Sequence, residues 1–126
     1  MIFDTDILIY VEKGNRKAAS WVDKAGKRFI SVQTYMELLQ NARNKTQHKY
    51  VKEFLHGMSF HVLPFTENIG HRASIYIEEY TLACGLDSAD AIIAATATEN
   101  NMILATSNAR HFRPIKDLQL KVFKPS

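Results

Sequence analysis

Cysteine is nearly absent from this chain of 126 residues: Cys84 is the only one. No internal disulfide can form and too few thiols remain for a zinc cage, so Cys84 reads as a small packing residue and a reducing compartment is favoured. Glycine and proline are scarce, five and three, and no low-complexity tract, linker-like stretch or internal repeat interrupts the chain. That composition excludes a disordered or fibrous protein. No run approaches the ~18 apolar residues needed to cross a bilayer, and the first residues lack the basic region, apolar run and cleavage site of a secretory signal. A cytoplasmic protein without a membrane partner is expected. Also missing are a Gly-rich phosphate loop, a "GxSxG" elbow and any pair at ligand spacing among His48, His56, His61, His71 and His111. Nucleotide-dependent, acyl-transfer and zinc chemistries therefore have no support.

Sixteen Lys and Arg against thirteen Asp and Glu give +3 and a pI near 9.0, a mild excess that suits an anionic partner without demonstrating one. The length fits one domain, residues 1–126, able to bury roughly two thirds of its unfolded surface. Short apolar runs at "MIF", "RFI", "SFHVLPF", "MILAT" and "LKVF" read as strands. Between them lie segments with helical spacing. These are "DILIYVEK", "NRKAASWVDKAGK" with Gly26 as terminator, "SVQTYMELLQNARN" capped by Ser31, "TQHKYVKEFLHGM", "TENIGHRASIYIEEYTLACG" from Thr66 to Gly85, and the Ala-rich "DSADAIIAATATENN". Strands alternating with helices require crossovers, which predicts an α/β fold with a central, mostly parallel sheet flanked by helices on both faces. Ligands of such sheets bind at the carboxyl ends of the strands.

Asp4 stands at one of those ends, directly after "MIF", where an ionised carboxylate without a partner would be costly. Asp6 can cap the helix that follows. Asp87 reads as the N-cap of the Ala-rich helix with Asp90 in its first turn, and Glu37 as a residue inside a helix. Taken singly, each of the last three has an ordinary structural explanation. Carboxylates at strand and helix ends of a parallel sheet can nevertheless converge, and a cluster of oxygen donors binds hard cations such as Mg²⁺ or Mn²⁺. Like charges held close also raise one another's pKa, a cost that a divalent cation removes.

"FDTDILIY", "ISVQTYMELLQNAR", "LDSADAIIAATA" and "ILATSNARHF" resemble, in order and spacing and over nearly the whole chain, the motifs of PIN-domain ribonucleases, specifically the VapC-like toxins of bacterial toxin and antitoxin pairs. The resemblance implies a Mg²⁺- or Mn²⁺-dependent endoribonuclease in which Asp4, Glu37 and Asp90 hold metal and orient a water for attack on an RNA phosphodiester. It places Thr106 and Asn108 in a polar "TxN" stretch that holds site carboxylates or water. Many members of that family carry an aspartate where this chain has His111, so the site would hold one metal tightly and recruit a second only with RNA, or Asp87 would compensate; Asp6 and His111 are further supporting candidates. The resemblance further implies a cognate antitoxin and a homodimer. Arg43, Lys45, Arg110, Arg113 and Lys116 flank the motifs and are candidate contacts to the RNA backbone.

Two rivals make different demands. A haloacid dehalogenase-like phosphatase would use "FDTD" as its nucleophile motif and "ILATSN" as its Thr or Ser motif, yet it needs a downstream Lys and an acidic pair, and Asp117 is the only acid after Arg110. A catalytically silent PIN-like module would bind RNA or protein through its basic surface, a reading that His111 favours and the joint presence of Asp4, Glu37 and Asp90 disfavours.

Overall fold

The computed structural model describes residues 1–126. Five strands, β1 (Ile2–Phe3), β2 (Arg28–Ser31), β3 (Phe60–Leu63), β4 (Leu104–Thr106) and β5 (Leu120–Val122), form one sheet in the order β3-β2-β1-β4-β5. Every pairing is parallel, so the sheet is wholly rather than mostly parallel. The central strands are buried on both faces, which is why "MIF" and "ILA" are unbroken apolar runs without alternation. Side chains one residue apart feed opposite cores: Ile2 and Leu104 join one apolar cluster, Phe3 and Ala105 the other.

Helices α1 (Thr5–Glu12), α2 (Arg16–Lys24), α3 (Val32–Asn41) and α4 (Lys45–Gly57) supply the cluster around Phe3. The cluster around Ile2 is built by α5 (Glu67–Cys84), α6 (Ser88–Glu99) and the single turn α7 (Ala109–Phe112). Ala91, Ala94, Ala95 and Ala97 are fully buried. A helix that is apolar nearly all round belongs in the interior, and α6 accordingly lies within the core with α5 packed on it. Cys84 is a half-buried free thiol whose Sγ donates to the Tyr80 carbonyl at 3.2 Å, in keeping with a packing role.

The helix ends follow local chemistry. Ser31, Thr66 and Asp87 cap α3, α5 and α6, each accepting from a backbone N–H three residues on, and α5 stops at Gly85 with φ of 73°. Gly26 does not terminate α2 as expected. The helix already ends at Lys24, because Ala25 turns to extended backbone (ψ 124°), and the Arg28 guanidinium instead collects the Val22 and Asp23 carbonyls.

Ser31 is fully buried; its hydroxyl accepts from the Thr34 N–H at 3.0 Å and lies 3.3 Å from the Thr34 hydroxyl. Replacing it with Ala removes both partners at the start of the helix that carries Glu37. Ser31→Ala is expected to lower unfolding free energy by about 1–2 kcal/mol. Urea denaturation reads this directly, and an unchanged midpoint would show that the cap contributes nothing.

Candidate active site

The chain runs outward from β1 to β2 and β3, then returns to the other side of β1 for β4 and β5. The sheet's switch point thus lies between β1 and β4, and in an open parallel sheet the crevice opens at the carboxyl ends of those two strands. Asp4 leaves β1 there, its N–H donating to the Ala105 carbonyl at 2.9 Å. One carboxylate oxygen accepts from the Thr5 N–H at 2.8 Å, the other from the Thr106 hydroxyl at 2.7 Å. Asp4, not Asp6, is therefore the N-cap of α1.

Asp6 has a different task. Its Oδ2 accepts from both the N–H and the hydroxyl of Ser107, tying the loop after β4 to the first turn of α1. Its Oδ1 is buried with no partner, the one such side-chain atom in the molecule. Ser107 went unnoticed in the sequence, as did Thr5 and Thr34. The Thr5 hydroxyl donates to Glu37 Oε1 at 2.9 Å and lies 3.0 Å from the Thr34 hydroxyl, which fixes the Glu37 carboxylate against the start of α1. No local pattern distinguishes such threonines from any others.

Asp90 enters from the first turn of α6, its N–H bound by the capping Asp87 Oδ1 at 2.8 Å. Asp87 itself is exposed and stays outside the cavity, so it does not stand in for a missing ligand. His111 Nδ1 lies 3.2 Å from Asp90 Oδ2. Asp4, Thr5, Asp6, Glu37, Asp90 and Asn108, with Asn41, Ile9 and Ile93, line one shallow cavity of about 270 Å³. The Asn108 N–H donates to the Thr106 hydroxyl at 3.0 Å, which orients that hydroxyl toward Asp4. Arg43 and Arg110 follow the cavity residues Asn41 and Asn108 by two positions; they, Lys45 and Arg113 are exposed, and none pairs with a carboxylate. Lys116 belongs elsewhere, to a cavity beside α5.

Burial, then the charge of Asp6, pushes the Asp4 carboxyl up to about 7 against the opposing pull of its Thr106 and Thr5 hydrogen bonds. Asp90 is raised as well, first by burial and next by Asp87, while His111 acts to lower it. A pocket that presses several carboxylates together at this cost suits a cation. The charged donors lining it are all carboxylate oxygens, and Asp6 Oδ1 has an unused acceptor. No group of three or more His, Cys, Asp or Glu side chains closes into a cage. A hard ion that keeps part of its water shell and takes one or two carboxylates plus a phosphate fits this donor set better than zinc.

Asp117, which the phosphatase reading would need near Asp4, instead accepts from Arg72 at 2.6 Å and from Tyr76 at 2.8 Å beside α5. That reading has no acidic partner for its nucleophile.

Thr106 is the polar side chain on which Asp4 most depends. Thr106→Val removes the donor while keeping shape, leaving a buried carboxylate oxygen unpaired, and is expected to lower cation affinity or turnover roughly 10–100-fold. A Mn²⁺ titration of the variant tests this; wild-type affinity and turnover would remove Thr106 from the site.

Residues 1–117 match the PIN domain family. The chain is 32% identical over 123 residues to Ribonuclease VapC10 of Mycobacterium tuberculosis, covering 94% of this chain and 90% of that one. It is 30% identical over 127 residues to Ribonuclease VapC1 of Rickettsia felis, covering 95% and 93%. Its structure is similar, with a TM-score of 0.81 and 29% identity over 99% of this chain and 97% of the other, to a chain of a toxin-antitoxin complex from Klebsiella pneumoniae. A wholly parallel sheet with its acidic side chains gathered at the switch point, joined to these likenesses along nearly the full chain, has one conclusion: the protein belongs to the PIN domain family.

Proposed function

We propose that this chain is a divalent-metal-dependent endoribonuclease, folded as one PIN-like domain, and the toxin of a toxin-antitoxin pair. The observation that carries the reading is the convergence of Asp4, Glu37 and Asp90 on one cavity from three different elements. The names of its relatives, ribonucleases and a toxin-antitoxin complex, support RNA as substrate and an antitoxin as partner. No helix is long and apolar enough to cross a membrane, which accords with action in the cytoplasm; a homodimer is the proposed assembly.

Asp4 and Asp90 would hold Mg²⁺ or Mn²⁺, with Glu37 at the same cavity. When bound, such a cation polarises the phosphate and lowers the pKa of coordinated water, so that no protein nucleophile is needed. Glu37, fixed by Thr5, is placed to orient the attacking water. Asp6 and Ser107 hold the β4–α7 loop in place, and Thr106 keeps Asp4 aimed into the cavity. Arg43, Lys45, Arg110 and Arg113 receive the flanking phosphates.

The test is cleavage of total cellular RNA by the purified, antitoxin-free protein with Mg²⁺ or Mn²⁺ and with chelator. Discrete fragments that require the cation are expected. RNA retained but never cut would support the second reading, a silent RNA-binding module, which the pairing of His111 with Asp90 favours.

A further inference from the structure

Charge is distributed very unevenly over this fold. Residues 12–28 and 119–126 contain eight of the sixteen Lys and Arg but only two of the thirteen Asp and Glu, so the remainder of the chain carries a net −3. Those two stretches are α2 with its flanks and the edge strand β5 with its tail, and they meet. Phe123 packs edge-on to Trp21 with ring centroids 5.1 Å apart, and the Asn15 side-chain amide donates to the Pro125 carbonyl at 3.2 Å. The Lys17 ammonium stands 5.7 Å from the Phe123 ring centre and the Lys121 ammonium 4.8 Å from that of Trp21. Lys24 and Lys121 also line a common cavity of about 300 Å³ that contains no acidic residue. On α2, Lys17, Trp21 and Lys24 are spaced i, i+4, i+7 and so form one stripe.

None of these lysines lies within 4 Å of a carboxylate, although four such pairs form elsewhere on the molecule, one at Lys49, two at Arg72 and one at His111. The aromatic pair holds the Lys17 and Lys121 ammonium groups near its rings, and both lysines stay exposed. Ordered, unpaired ammonium groups on one face complement a polyanion. The carboxylates that line the cavity repel phosphate when no cation is bound, so attraction of an RNA falls to basic residues outside it.

We infer that the face formed by α2 and β5, with Lys17, Lys24 and Lys121 at its centre around the Trp21 and Phe123 pair, binds the phosphate backbone of single-stranded RNA outside the cleavage site. This rests on the ribonuclease reading and assigns that substrate a second contact surface. Binding there is sequence-independent, because ammonium groups read phosphate and the ring faces are occupied by lysines.

The test compares Lys17→Gln/Lys24→Gln/Lys121→Gln with an equal charge loss elsewhere, Lys49→Gln/Lys52→Gln/Lys116→Gln. Both are built on the Asp4→Asn background so that RNA is not cut, and folding is checked by circular dichroism. Binding of a labelled 20-nucleotide unstructured RNA is followed by anisotropy across a salt series. The α2–β5 triple should bind about tenfold or more weakly at 0.1 M salt, with the slope of log K against log salt shallower by about 2. The control triple should change less than about threefold. With Asp4 restored, the α2–β5 triple should show a raised KM on long RNA and an unchanged kcat. Equal losses in the two triples would overturn the surface while leaving the ribonuclease intact. Polyglutamate that binds this face while RNA binding is insensitive to its lysines would replace RNA by an acidic protein segment. A parent protein that neither binds nor cuts RNA would overturn the ribonuclease reading itself, and the surface with it.

Discussion

Asp4→Asn is expected to abolish RNA cleavage, by on the order of 10³-fold or more, while making the metal-free protein more stable. The two effects have one cause. Asp4 is 7% exposed and lies beside Asp6, so its negative charge is held in a place where water solvates it poorly. The charge is what a cation would bind, and removing it would leave the cavity with one carboxylate fewer: Asp6 has only its Oδ1 to offer, Oδ2 being committed to Ser107, and Asp87 lies outside the cavity. Asn keeps the shape: its Oδ1 can still accept from the Thr5 N–H, while its Nδ2 faces the Thr106 hydroxyl as a donor to that oxygen, so the start of α1 need not move. Cleavage assays beside thermal melts of the same preparations read both effects. A stable variant that cuts RNA at the wild-type rate would remove Asp4 from the catalytic set. A variant that loses activity only because it unfolds would show that Asp4 serves the fold instead.

The metal-free protein should lose stability as pH rises from about 4 to above 7. Asp4 titrates near 3.8 in the unfolded chain and at about 7 in the folded one. Between those values the native state holds the proton more tightly than the unfolded state does, so raising pH favours unfolding. The contribution is complete below 3.8 and lost above 7, and a shift of this size amounts to roughly 4 kcal/mol. The upward shift of Asp90 has the same sign. Divalent cation opposes the trend and offsets part of the loss, because it binds the ionised carboxylates: stabilisation should be small at pH 5 and reach about 2.7 kcal/mol at pH 8 when the ion is at 100 times its Kd. Urea titrations at pH 5, 6, 7 and 8, with chelator and with Mn²⁺, measure all of this. A metal-free stability that is flat or rises over that range, in wild type and Asp4→Asn alike, would show that Asp4 is already ionised at low pH.

The strand and helix alternation was legible because each element announces itself locally. Ser31, Thr66 and Asp87 are capping residues at the head of apolar periodicity, Gly85 permits the left-handed turn that ends α5, and the apolar runs at β1 and β4 are those of strands covered on both sides. Gly26 misled because a helix can also stop by turning to extended backbone, as Ala25 does, which demands no glycine.

The site divides along the same line. By itself the sequence determined that Asp4, Glu37 and Asp90 occupy element ends and a helix interior where carboxylates need a reason to be, since residue type and local periodicity are properties of neighbouring positions. Only the tertiary structure decided that Thr106 is the donor to Asp4 across 102 residues, that Asp6 binds Ser107 across 101, and that Thr5 reaches Glu37 across 32. It also set His111 against Asp90 and gathered the lysines of α2 and β5 on one face. The physical reason is that parallel strands are joined by crossovers of many residues, and the order in which they assemble leaves no mark on any one of them. Side-chain hydrogen bonds between such strands exist only after β4 has taken its place beside β1.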